Sequence, residues 1–269
     1  MNIVEVKHLK VWDTRTERTI IHDSSFEVRQ GSCLAIVGES GSGKSVTCRA
    51  LMRLNKPNMR QSGMMLFQGE DLQLLPEQEM RRRRGRHLSM IMQHGMSAFD
   101  PSCVLGVHIR ETLQTHYNWN TRELERKMVQ AMERVMLKNP MHILNQYPHQ
   151  LSGGMLQRMM IALALVLEPE LIIADEPTTA LDTISQYEVL EQLIQLRERI
   201  GCSMIFISHD LGVVRKIADD VMVMKDGSVV EQGSMQSVLQ EPAHAYTRYL
   251  VSTRQELSDH FKAIMQEGS

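Results

Sequence analysis

Residues 32–45 read SCLAIVGESGSGKS: a short, almost wholly apolar run followed at once by a glycine-rich turn ending in Lys-Ser. An apolar run of this length with a glycine boundary is the pattern of a strand covered on both faces. A strand, then G-x-x-x-x-G-K-S over 38–45, then a helix opening near Ser45 is the context a phosphate-binding loop requires. Gly38, Gly41 and Gly43 let the backbone wrap closely, so that N–H groups of the loop, which also holds Glu39, Ser40 and Ser42, can donate to phosphate oxygens. Lys44 supplies charge to the β- and γ-phosphates, and the Ser45 hydroxyl suits Mg²⁺. The expectation is an α/β fold that binds a nucleoside triphosphate.

Working outward, MMLFQG (64–69), LSMIMQ (88–93), LIIADE (171–176) and MIFISH (204–209) are further short apolar runs. Three of them end in a polar residue, as the strands of a parallel sheet do where they present chemistry at their carboxyl ends. In LIIADEP two adjacent carboxylates leave the strand on opposite faces, so they divide two tasks. Asp175 suits the Mg²⁺ shell, and Glu176 is placed to orient or deprotonate the attacking water. His209 closes the neighbouring run, where it can contact the γ-phosphate and hold that water. Gln93 offers a neutral amide to the Mg²⁺ shell and the water.

The 269 residues allow one large domain or a domain with a subdomain. Between Gln93 and Gly154 no strand-like run occurs, and TRELERKMVQAMERVML (121–137) repeats its apolar residues at three and four. A helical subdomain is expected there. The boundaries read as 1–92 for the first part of the core, 93–158 for the helical subdomain, 159–240 for the second part of the core and 241–269 for a helical tail. VMVMKDGSVVEQG (221–233) predicts a hairpin turning at Asp226 and Gly227, and in the tail Leu257, Phe261, Ile264 and Met265 share one helical face.

A net charge of −2 argues against a surface that coats nucleic acid. RRRRGR (81–86) has no aromatic platform beside it and reads as a solvated helix end. Cys33, Cys48, Cys103 and Cys202 show no paired spacing, which points to a reducing compartment. The start, MNIVEVKHLKVW, alternates like a strand and lacks the apolar segment of a signal peptide. The longest apolar run, 159–167, stops far short of the ~20 residues a spanning helix needs. Attachment to a membrane is expected only through a partner. The methionines and histidines are dispersed without ligand spacing and read as packing and surface residues.

LSGGMLQR (151–158) precedes the apolar MMIALALVL. Ser152, Gly153 and Gly154 leave backbone N–H groups at a positively polarised helix start, a candidate anion site. The P-loop, Gln93, LSGGM, LIIADEPTTALD and His209, in that order, resemble the ATP-binding subunit of an ATP-binding-cassette (ABC) transporter, over about residues 3–250. The resemblance implies an ATP hydrolase with a mainly parallel core sheet, an antiparallel β-subdomain and an inserted α-helical subdomain. It implies ATP and Mg²⁺ as cofactors, and a composite site in which Ser152, Gly153 and Gly154 bind the γ-phosphate held by a second ATPase subunit. Ala180, Leu181 and Asp182 match the D-loop along that interface, and Trp12 is the candidate for stacking on adenine. Met155 stands where Gln or Glu is usual.

RGRHLSMIMQ, SAFDP, LSGGMLQRMMIALAL, VVEQG and EPAHAYTRYLVST are most similar to the nickel, peptide and opine-metallophore importers. That implies two membrane permeases and a solute-binding protein as partners, no nucleic acid, and a peripheral place on the cytoplasmic face of the cell membrane. No cysteine follows Cys202, which excludes the C-terminal iron–sulfur cluster of many peptide-type members. Nickel or another metal complex is the expected cargo, with oligopeptides the alternative. DNA-repair-type ABC ATPases share the phosphate chemistry but insert long coiled coils or zinc modules, and neither pattern is present.

Overall fold

The computed structural model describes residues 1–179 and 181–253. In chain order the elements are β1 (Asn2–Asp13), β2 (Thr19–Arg29), β3 (Cys33–Val37), α1 (Lys44–Leu51), β4 (Met59–Phe67), β5 (Glu70–Asp71), α2 (Glu77–Arg83) and β6 (Leu88–Ile91). There follow α3 (Leu105–His116), α4 (Thr121–Arg134), α5 (Pro140–Leu144), α6 (Gly153–Leu167), β7 (Leu171–Asp175) and α7 (Thr183–Ile200). The described chain continues with β8 (Ser203–Ile207), α8 (Leu211–Ile217), β9 (Asp220–Lys225), β10 (Ser228–Ser234) and α9 (Met235–Gln240). Residues 245–253 are also helical.

The strands form one sheet in the order β5-β4-β1-β2-β10-β9-β3-β8-β7-β6. Its β9-β3-β8-β7-β6 half is parallel, and β1, β2, β4 and β5 are joined by antiparallel pairing. This is the expected α/β architecture of a mainly parallel core with an antiparallel β portion. β2 extends over Thr19–Arg29 because the alternating TIIHDSSFEV stays paired with β1 along its length.

Every residue of β3, β7 and β8 is buried, as strands covered on both faces require. Alternation sends Ile172 and Ala174 into a core with α6 and α7, and Leu171 and Ile173 into another that includes α1. Between Gln93 and α6 the described elements are helical. Asn120 caps α4 by accepting the Glu123 N–H at 3.0 Å, and Leu124, Met128, Ala131 and Met132 form its buried stripe. α6 is apolar on most of its faces and packs against α4 and α7.

The basic run departs from the expected solvated helix end. Arg81 and Arg82 are exposed, but Arg83 and Arg84 are largely covered. The Arg84 guanidinium donates to the Met52 carbonyl at 2.9 Å and to the Glu77 carboxylate at 2.7 Å, so it clamps α2 to the end of α1. A planar fork of donors at the end of a long apolar stem suits that double task. The apolar face expected at Leu257, Phe261, Ile264 and Met265, and Ala180 of the D-loop match, lie outside the described residues.

Candidate functional site: a P-loop cleft at the ends of the parallel strands

The loop after β3 is shaped by close backbone approaches. Gly38 has φ 151°, and a Cβ there would lie 2.2 Å from the Met224 carbonyl oxygen; Gly43, at φ 104°, would drive one to 2.4 Å from Ile21. No side chain fits at either position. The hairpin turn braces the loop from outside, since the Gly227 N–H donates to the Ser42 carbonyl at 3.1 Å and the His22 N–H to the Gly227 carbonyl at 3.0 Å.

Lys44 begins α1 and folds back into the loop, its Nζ donating to the carbonyls of Gly38 (2.9 Å) and Glu39 (2.8 Å). Burial pushes its pKa down, against the opposing pull of Glu176, Asp175 and Glu39. Ser45 Oγ donates to Asp175 Oδ1 at 2.7 Å. Asp175 is the last residue of β7 and is 3% exposed. Burial pushes its carboxyl pKa up, and the Ser45 hydrogen bond and the Arg49 guanidinium 3.7 Å away act in the opposite direction. Two hard oxygen donors therefore meet at the start of the P-loop helix, which is the donor chemistry Mg²⁺ takes.

Glu176 follows in the left-handed region, φ 46°, a conformation rare for a residue with a side chain. Its N–H donates to the Ile207 carbonyl at 3.1 Å, so the end of β8 helps hold the turn. Three polar groups converge on its Oε2: Gln93 Nε2 at 3.1 Å, Thr179 Oγ1 at 3.0 Å and His209 Nδ1 at 3.6 Å. Sequence reasoning paired Gln93 and His209 with this carboxylate's task but missed Thr179, which the TT of LIIADEPTT offered.

A cleft of about 1050 Å³ opens over the loop, floored by Ser40, Gly41, Gly43, Lys44 and Ser45 and bounded by Gln93 and Glu176. Its far wall includes Asp13, Arg18, Ile20 and His22 of β1, β2 and the turn between them. A smaller cleft of about 390 Å³ shares Ser40, Lys44 and Glu176 and adds His209 and Leu250. The first is large enough for a nucleoside triphosphate.

The remaining predicted residues lie elsewhere. Trp12 is half-buried and pairs with Thr19 and Arg60 on the flanking strands; its neighbour Asp13 lines the cleft and Trp12 does not. Ser152 caps α6 by accepting the Met155 N–H at 3.2 Å. Gly153 and Gly154 follow in its first turn, and none of the three lines either cleft. Outside its own helix turn, a Cβ on either glycine would meet nothing among the described residues closer than 3.8 Å, the Leu181 side chain. Asp182 caps α7, accepting the Ser185 N–H at 3.0 Å and its hydroxyl at 2.7 Å, and these bonds hold its pKa down.

One polar residue at the centre was not foreseen. Gln157, on α6 and 2% exposed, donates through Nε2 to the carbonyls of Met92 (3.0 Å), Gln93 (3.2 Å) and Pro177 (2.8 Å). Its signal in the sequence was a single amide within an apolar helix.

Residues 21–179 match the family described as ABC transporter. The chain belongs to that family. Over 266 residues it is 48% identical to the metal-staphylopine import system ATP-binding protein CntD of Staphylococcus aureus, covering 99% of this chain and 98% of the relative. It is also 41% identical to the oligopeptide transport ATP-binding protein OppD of Lactococcus lactis, over 93% of this chain and 75% of that protein. Among solved structures, the dimeric post-hydrolysis state of the ATP-binding cassette MJ0796, bound to ADP and Pi, superposes with a TM-score of 0.76 at 25% identity. The match spans 86% of this chain and 98% of the other. This ABC protein is an ATP-binding subunit of a transporter, and the reaction of its site is the ATP hydrolysis that powers transport. No helix among the described residues is long and apolar enough to cross a membrane.

Proposed function

We propose that this ABC subunit powers import of a transition metal bound to a small organic chelator. The observation that carries the reading is the 48% identity to a metal-staphylopine import ATPase, maintained over 98% of that protein's length. The 41% identity to an oligopeptide import ATPase supports a second reading, peptide import.

Within the site, the geometry supports a division of tasks. Loop amides and Lys44 take the β- and γ-phosphates; Ser45, Asp175 and Gln93 would hold Mg²⁺, which would supply positive charge against the phosphates. Glu176 is assigned to the attacking water, with its carboxylate aimed by Gln93, Thr179 and His209. His209, in the lining of the smaller cleft, is assigned to the γ-phosphate. Trp12, beside the cleft wall at Asp13, is assigned to the adenine.

Ser152, Gly153 and Gly154 are assigned to the γ-phosphate of a second ATPase subunit, with Asp182 along the shared interface. The support is that none of them lines either cleft, together with glycines that packing among the described residues does not demand. First-turn amides have no acceptor inside their own helix, so a phosphate carried by a partner suits them. The remaining partners are two permeases and, through the assembly, a solute-binding protein, which places the chain peripherally on the cytoplasmic face of the cell membrane. Docking of a permease at 97–105 is tested by crosslinking from cysteines placed there; crosslinks only to soluble proteins or DNA would contradict it.

The cargo is tested by uptake in cells lacking the gene, comparing radioactive nickel, a metallophore-bound metal and a labelled peptide under metal starvation. Loss of metal uptake is expected. Loss of peptide uptake with metal uptake intact would overturn the metal assignment.

A further inference from the structure

The stretch EPAHAYTRYLVST (241–253) lies beyond the residues matched to the family and has no part in the division of tasks above. Glu231 of β10 anchors its start, one carboxylate oxygen accepting the Ala243 N–H at 2.8 Å and the other the His244 N–H at 3.0 Å. The helical residues 245–253 follow, and their first turn buries Tyr246, 7% exposed, in a core with Ala35, Val37 and Leu211.

The phenol oxygen of Tyr246 leaves that core and accepts the N–H of Glu39, the second residue of the P-loop, at 3.1 Å. The peptide unit involved is the important one. Its other end, the Gly38 carbonyl, accepts Lys44 Nζ at 2.9 Å. One peptide plane is therefore held from both sides, by the tail's phenol and by the loop's lysine. A peptide next to a glycine has wide conformational freedom when nothing holds it. Lys225 Nζ sits 5.0 Å from the centre of the Tyr246 ring and adds to its fixation. Burial raises the phenol's pKa, so it is neutral and available as an acceptor at physiological pH. One turn on, Leu250 lines the smaller cleft with Lys44, Glu176 and His209.

We propose that Tyr246 is a positioning residue of the nucleotide site: its phenol oxygen fixes the Gly38–Glu39 peptide and, through the Gly38 carbonyl, the seat of Lys44. The tail segment from Glu241 to Leu250 is then a working wall of the site, and Glu231 is the anchor that keeps it in place. This rests on residues 38–45 being the ATP-phosphate loop.

Tyr246→Phe removes the acceptor and leaves the ring in its core. Binding of Mg-ATP and Mg-ADP to the full chain is measured by titration calorimetry, KM and kcat in the assembled transporter, and unfolding on the nucleotide-free chain. The Kd for nucleotide and the KM for ATP should rise about three- to tenfold, the effect of one lost hydrogen bond, with kcat within about twofold of the parent. The unfolding midpoint should stay at the parental value. Glu231→Gln, which weakens the anchor, should raise Kd less, and the double variant should bind no more weakly than Tyr246→Phe alone. Parental affinity in Tyr246→Phe would overturn the proposal, and so would a loss of affinity matched by an equal loss of unfolding stability, which would assign Tyr246 to packing. Failure of the parental chain itself to bind nucleotide would instead overturn the reading of the loop.

Discussion

Gln157 Nε2 lies 2.8 Å from the Pro177 carbonyl oxygen, the residue directly after Glu176, and the same amide reaches the backbone of Gln93 at 3.2 Å. The helix that opens with Ser152-Gly153-Gly154 is thereby tied to both ends of the Gln93–Glu176 pair. The two N–H groups of one amide, shared among three carbonyls, thus couple the position of α6 to the backbone beside Gln93 and Glu176.

Gln157→Leu keeps the volume and removes the donor, leaving carbonyls of Met92, Gln93 and Pro177 unpaired in a buried place. Unpaired buried groups of this kind cost about 1–3 kcal/mol. Denaturant unfolding should show a loss in that range, and an unchanged midpoint would mean that water or another donor replaces the amide.

Gly153→Ala and Gly154→Ala separate folding from function. Each added Cβ has room among the described residues, and alanine is favoured over glycine inside a helix by roughly 0.5–1 kcal/mol, less in a first turn. Thermal unfolding of the isolated chain should hold or rise slightly. ATP turnover by the assembled transporter should fall at least about tenfold, as expected when a transition-state contact to phosphate is obstructed. Parental turnover in both variants would remove Gly153 and Gly154 from the composite site.

Asp175→Asn tests the buried carboxylate. Burial raises its folded-state pKa above the ordinary value of 3.8, so the folded chain holds this proton more tightly than the unfolded chain. The favourable contribution is full below the unfolded pKa and is lost as pH rises through the folded one. At neutral pH the charge is therefore a burden, and Asp175→Asn should raise the unfolding temperature of the nucleotide-free chain. The gain should shrink as pH falls through the raised folded-state pKa, while hydrolysis is lost at every pH. A variant less stable than the parent at neutral pH would show that the Ser45 and Arg49 contacts outweigh burial.

Much of the site was legible because it is built at strand ends. SCLAIV, LIIAD and MIFIS are apolar runs whose next residues have nowhere to go but the carboxyl edge of the sheet, so Lys44, Asp175, Glu176 and His209 could be placed from local pattern alone. Gln93 follows the same logic two residues past β6. What escaped depends on contacts between distant segments. Tyr246 and Glu39 are separated by 207 positions, and no periodicity links a tail aromatic to a loop amide. Gln157 looked like one polar residue on a buried helix, and its three acceptors belong to two other elements. Arg83 and Arg84 read as solvated because charge runs usually are; the structure folds their guanidinium groups back onto Glu70, Glu77 and the Met52 carbonyl. The alternation of β1 identified a strand but could not decide that Asp13, and not Trp12, lines the cleft.

Glu176 is assigned to water activation at a site completed by a second subunit. The most direct measurement of this assignment is ATP hydrolysis by the assembled transporter carrying Glu176→Gln, a change that keeps the hydrogen-bonding shape and removes the base. Turnover should fall by about 10²-fold or more, the scale of lost general-base catalysis, and Mg-ATP should hold the variant in a closed ATPase dimer detectable by sedimentation. Hydrolysis at the parental rate, with no ATP-stabilised dimer, would contradict it.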